Sequence, residues 1–217
     1  MNKLNESLNA SSHNTYTPLR YLPLIVLGIF IVALIFIFTQ SQLQTSWRFD
    51  RHLFSQQPLQ ALSHALVHLN TQHLALNIAG LLTIGLLFSS AFRSLWWIAA
   101  LAASAIASAY GVFYYSLETD WLVGLSGALH GLFVYAVLRS RASFIWIAAL
   151  VIKLTVEQKP DWLPANNMSQ FTEQLINNPV IVDAHLWGAI GGLVFFLIAR
   201  SFATLLVIIE LNRKEKI

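Results

Sequence analysis

Cysteine is absent from the 217 residues and methionine occurs only twice. The first absence removes disulfides, thiolate catalysis and cysteine-type metal or iron–sulfur sites, and it leaves the compartment open. Charge is scarce as well: 11% of the residues are Asp, Glu, Lys or Arg, where a soluble domain carries roughly 25%. So little charge cannot coat a water-facing surface. With 56% hydrophobic residues and a mean hydropathy of +0.61, the chain reads as an all-α polytopic membrane protein. The pI near 9.3 comes from Lys and Arg that flank apolar runs, so it gives no ground for a nucleic-acid partner. The partner it does imply is a lipid bilayer.

Six stretches have the length and apolarity to be spans: 22–38, 66–90, 95–115, 121–138, 142–156 and 180–209; about 20 apolar residues cross a hydrocarbon core of ~30 Å. The first follows a polar head and has no small-x-small cleavage site after it, so it reads as a retained anchor and not as a signal peptide. This divides the chain into a disordered head (1–20), a six-span domain (21–210) and a basic tail (211–217). Placing both termini in the cytoplasm leaves nine Lys and Arg inside against four outside, Arg48, Arg51, Lys153 and Lys159, which satisfies the positive-inside rule. Residues 39–60 and 157–178 are then outer loops whose aromatic residues rest at the interface. Trp96, Trp97 and Trp121 read as belt residues, and Ser169 as the cap of a short amphipathic helix. Asn178-Pro179 reads as the N-cap and first position of the last helix.

Polar groups inside a membrane are costly and mark functional sites by default. Five of the seven histidines lie in the spans or at their edges: His64, His68 and His73 in the second helical region, with His64 just ahead of the span itself, His130 in the fourth and His185 in the sixth. Ser126 lies five residues after Trp121 and His185 six after Pro179, roughly 7–9 Å down their helices at ~1.5 Å per residue. His73 and Asn77 reach a similar depth. A hydroxyl becomes a nucleophile when a base within hydrogen-bond reach takes its proton; Ser126 and His185 supply that pair. His73 and Asn77, four apart on one helix face, can donate to a developing oxyanion, together with the Ser126 backbone N–H if this residue sits in the first turn of its helix. Gly124 and Gly127 flank the serine. Gly127/Gly131 and Gly188/Gly192 have the small-xxx-small spacing that lets helices approach closely, so these faces would bring Ser126 to His185.

Other chemistries fit less well. His64 and His68 stand four apart, but HALVH lacks the Glu of HExxH and no third ligand is evident; no metal or other cofactor is expected. His130, one turn below Ser126, is poorly aligned as its base and reads as a packing residue beneath His185. Asp183 points to a different helix face from His185, which suits an acid at a helix start better than a third triad member. A transporter or a non-catalytic client-binding protein is the rival class.

Three motifs then carry a resemblance. GLSGALHG (124–131) fits GxSG, AHLWGAIGG (184–192) fits AHxxGxxxG and HLNTQHLALN (68–77) fits HxxxxHxxxN. The chain resembles the rhomboid intramembrane serine proteases over residues 22–209. The resemblance implies Ser126 as nucleophile, His185 as base, His73 and Asn77 as oxyanion donors and His68 as a supporting residue. The compact chain looks like the rhombosortase branch of Gram-negative bacteria. That branch implies an inner-membrane enzyme with its site facing the periplasm, and clients bearing a C-terminal glycine-glycine motif, a transmembrane segment and a basic tail. The Trp-Arg pair that many rhomboids carry before the histidines is replaced here by Leu59 and Gln60, and His130 stands where many have an aromatic.

Overall fold

The computed structural model describes residues 17–159 and 168–214. Its helices are α1 (Thr17–Phe38), α2 (Ser41–Ser46), α3 (Gln60–Ser63), α4 (Thr71–Leu87), α5 (Trp96–Tyr115), α6 (Ser126–Ser140), α7 (Ile145–Gln158), α8 (Met168–Ile176) and α9 (Val182–Lys214). Two-residue strands β1 (Phe49–Asp50) and β2 (Trp121–Leu122) pair antiparallel, Phe49 opposite Leu122. All six apolar stretches form helices, and the protein is an all-α polytopic membrane bundle. By length and apolarity α1, α5 and α9 suffice to cross a membrane. Helices α4, α6 and α7 have 17, 15 and 14 residues, about 26, 23 and 21 Å at ~1.5 Å per residue.

Several boundaries differ from the sequence reading. Helix α1 takes up Thr17–Arg20 from the expected head; residues 1–16, with the rest of the head, and 215–217 of the tail lie outside the described residues. The last helix starts at Val182, not at Pro179. The turn before it is closed by Glu173, whose backbone carbonyl accepts from Asn178 N (3.2 Å) and whose Oε1 accepts from Val180 N (3.1 Å), and Asn177 is left-handed at φ 51°. His185 therefore sits in the first turn of α9. The expected amphipathic helix is present as α8, but it begins one residue ahead of Ser169.

Small residues set the centre. A Cβ on Gly188 would overlap Gly127 O, one on Gly192 would overlap Gly131 O, and one on Gly131 would overlap Ser104 Oγ and Gly188 O. Helices α6 and α9 therefore meet backbone to backbone, as the glycine spacing implies, with α5 closing against both. Ser108 Oγ on α5 donates to Ala184 O on α9 at 2.8 Å. Helix α1 is peripheral: Leu27 and Leu34, two turns apart, are buried, while Ile25, Ile29, Val32 and Phe36 are exposed, which suits a lipid-facing helix.

The stretch 39–60 is held more firmly than an interfacial loop would be. Phe49 and Phe54 are fully buried against α5, packed with Ala109, Val112 and Leu122. Arg51 donates to four carbonyls at the end of α5 and beyond it, Val112, Phe113, Ser116 and Thr119, at 2.7–2.9 Å. Carbonyls at a helix C-terminus run short of donors within the helix, and Arg51 adds to the backbone N–H groups that Val112 O and Ser116 O already accept. Gln60, at the place of the missing Trp-Arg pair, accepts from Asp50 N (3.0 Å). Trp97 also departs from expectation. It is fully buried, stacked on Phe92 (5.2 Å) with Phe30 edge-on, while its neighbour Trp96 is exposed; successive helical positions face about 100° apart.

Candidate active site

Ser126 is the first residue of α6, so its backbone N–H has no partner a turn earlier in the helix. Gly124 sets the approach. It holds φ +105°, and a Cβ there would stand 2.5 Å from His73 Nε2, so both its backbone angle and its space exclude a side chain. Gly124 N donates to His64 O at 2.9 Å, which ties the turn before the serine to the histidine-bearing segment before α4. His64 lies outside the spans and is buried; burial lowers its pKa from 6.5 to about 4, so the ring is neutral at neutral pH. Its Nδ1 is 2.9 Å from Gln60 O. The ring therefore braces a turn.

His185 Nε2 lies 3.1 Å from Ser126 Oγ. The backbone contact between α6 and α9 at Gly127/Gly188 lies one residue past Ser126 and three past His185, so glycine packing and side-chain contact coincide. His73 and Asn77 project from α4 into the same cavity, of about 840 Å³, which Ser126 and His185 also line. Asn70 caps α4 by accepting from His73 N (2.9 Å). Asn77 Nδ2 donates to His73 O at 3.0 Å, which leaves its second N–H for another acceptor. His68 is buried with its ring edge-on to His73 at 5.2 Å, a packing contact. His130 lies beneath His185 with ring centres 4.1 Å apart and planes at 17°. Its Nδ1 is 2.8 Å from Ser126 O, the backbone carbonyl of the serine. Asp183 accepts from Ser116 Oγ and takes no part in the pair.

Two residues of the site, Lys153 and Glu157, are outer-side charges by sequence and are not marked there as site residues. Both line the cavity. Glu157 Oε2 is 3.2 Å from His185 Nδ1 and Glu157 Oε1 is 2.6 Å from Lys153 Nζ, which is 2.9 Å from His130 Nε2. Leu150, Leu154 and Glu157 share one helix face, and Leu150 and Leu154 are buried against Val134 and Ala189, so the charges share the inward face; α7 has apolar residues on every side, so the sequence does not mark which face that is. His130, Glu157 and His185 each offer a ligand atom within 4.8 Å of one another. The positive charge among them is the Lys153 ammonium.

A hydroxyl 3.1 Å from an imidazole, with a free helix-start N–H, a second imidazole and a carboxamide around one cavity, has the parts for acyl transfer. No protein of curated function matches the chain. A family model described as the rhomboid domain matches residues 55–202, which takes in α4 to α7, most of α9 and every side chain of this cluster. The chain belongs to the rhomboid family of intramembrane serine proteases.

Proposed function

We propose that the protein is an active intramembrane serine endopeptidase in which Ser126 is the nucleophile and His185 the general base. The observation that carries this reading is the 3.1 Å Ser126–His185 contact inside the matched domain. His185 Nε2 takes the Oγ proton as Oγ bonds to the scissile carbonyl carbon, and the carbonyl π pair moves onto its oxygen. His73, Asn77 and the Ser126 N–H donate to that oxyanion. Collapse re-forms the carbonyl, breaks the C–N bond, and passes the proton from His185 to the departing amine. Water, or an amine in the case of transpeptidation, then attacks the acyl-enzyme in the reverse sense. The polar side chains on one part of the cavity wall, Ser126, His73, Asn77, His185, Lys153 and Glu157 among them, let water sit at membrane depth.

On this reading the clients are membrane proteins with a glycine-glycine motif before a C-terminal transmembrane segment and basic tail, cut near the periplasmic face of a bacterial inner membrane. The test is labelling of the purified protein by a serine-directed fluorophosphonate. Wild type should label, and Ser126→Ala and His185→Ala should lose labelling and cleavage by about a millionfold while unfolding at an unchanged temperature. Absence of labelling in wild type would leave a client-binding or transporting protein. A dead His130→Ala beside a live His185→Ala would reassign the base. Mass spectrometry of a processed client's new C-terminus separates hydrolysis from transpeptidation.

A further inference from the structure

We infer that Glu157, held by Lys153, is the positioning acid behind His185, so that the working unit is a Ser126–His185–Glu157 triad completed from helix α7. The inference rests on the serine-protease reading above and goes beyond its two-residue pair.

The hydrogen-bonding capacities of the groups leave one arrangement of protons. Lys153 Nζ can only donate, so His130 Nε2, at 2.9 Å, must accept, and the proton of the neutral His130 ring sits on Nδ1, where it donates to Ser126 O at 2.8 Å. The Glu157 carboxylate can only accept. It takes one bond from Lys153 at 2.6 Å on Oε1 and one from His185 Nδ1–H at 3.2 Å on Oε2. With its proton on Nδ1, neutral His185 presents a bare Nε2 to Ser126 Oγ, the tautomer that a general base needs. The chain of bonds thus begins at the Ser126 hydroxyl and ends at the Ser126 carbonyl, and each member fixes the proton of the next.

Charge supports the same assignment. Glu157 and His185 are each 7% exposed at the side chain, and a carboxylate this buried needs a partner. Lys153 neutralises it in the resting state. When Oγ gives its proton to Nε2, His185 becomes an imidazolium and Glu157 stands against it as an ionised acceptor. The proton stays on Nδ1 throughout, and no transfer to Glu157 is required. Asp183, the other acid near the histidine in sequence, is committed to Ser116.

The full-length protein in detergent micelles, titrated with fluorophosphonate, separates probe binding from the maximal labelling rate of Ser126. In that reaction Oγ bonds to phosphorus, the P–F bond breaks, fluoride leaves and the proton goes to His185. Glu157→Gln should lower the maximal rate about ten-thousandfold, the order found for loss of a triad acid, with half-saturation within about threefold. Glu157→Asp, which keeps the charge, should recover at least about tenfold over Gln. A purely structural role would lower the unfolding temperature and leave the maximal rate of the folded fraction alone; a Gln variant within about threefold of the wild-type rate overturns the inference. Should the Gln variant not fold, ¹⁵N-imidazole NMR of the wild type decides: protonated Nδ1 on His185 supports the triad, and protonated Nε2 overturns it. Wild type that fails to label at all sinks the protease reading itself, a separate result.

Discussion

Gly124 shows how much a single position carries. Its φ of +105° is disfavoured for any residue with a Cβ by about 1–2 kcal/mol, and the missing side chain gives His73 the room to reach the turn before Ser126. Gly124→Ala should therefore reduce fluorophosphonate labelling far more than it reduces thermal stability, because the ring that must yield is an oxyanion donor on the proposed reading. Equal losses in both, or neither, would separate His73 from that role. Gly124, Ser126 and the histidines were legible in the sequence: a polar group in an apolar run stands out, and the motif spacing named partners. Trp97 was not. Its place in a belt or in the core depends on which side of α5 meets Phe30 and Phe92, and an apolar side chain fits either.

At the scale of elements, the contact between α6 and α9 brings Ser126 and His185 together. Because Gly188 faces the Gly127 carbonyl without room for a methyl, Gly188→Val should push the helices apart. Overpacking of about 1–3 kcal/mol or more should lower the unfolding temperature and abolish labelling. Gly28→Ala makes the contrast: a Cβ there meets nothing within 4 Å, so the gain in helix propensity of about 0.5–1 kcal/mol should leave stability equal or higher and labelling intact. If Gly188→Val labelled like wild type, the coupling of backbone approach to the site would be refuted. Helix α7 is more than a wall, since it supplies Lys153 and Glu157. The segment before α4 belongs to the fold in the same way. Arg51 secures it to the carbonyls at and just beyond the end of α5, whereas by sequence alone this arginine is a charge outside the membrane.

For the whole molecule, the mismatch of helix lengths is the leading feature. Helices α4, α6 and α7 reach about 21–26 Å by their rise, short of a ~30 Å hydrocarbon core, while α9, with 33 residues, reaches about 50 Å. A bilayer must thin around the short helices or leave their ends under water and headgroups, each at fractions of a kcal/mol per Å. Cleavage by the protein reconstituted in short-chain phosphatidylcholine should thus run several-fold faster than in long-chain lipid, measured per labelled Ser126. Identical rates would show that thickness does not govern the site. Fold class, span order and the chain positions of Ser126, His73, Asn77 and His185 followed from the sequence alone, because burial in lipid makes every polar residue costly and glycine spacing marks close helix contacts. The company of His185, by contrast, came from long-range packing. Lys153 and Glu157 near the end of a span read equally well as charges turned to water, and the rotation of α7 that turns them inward is set by Leu150 and Leu154 packing against Val134 and Ala189, a long-range contact that no local pattern encodes.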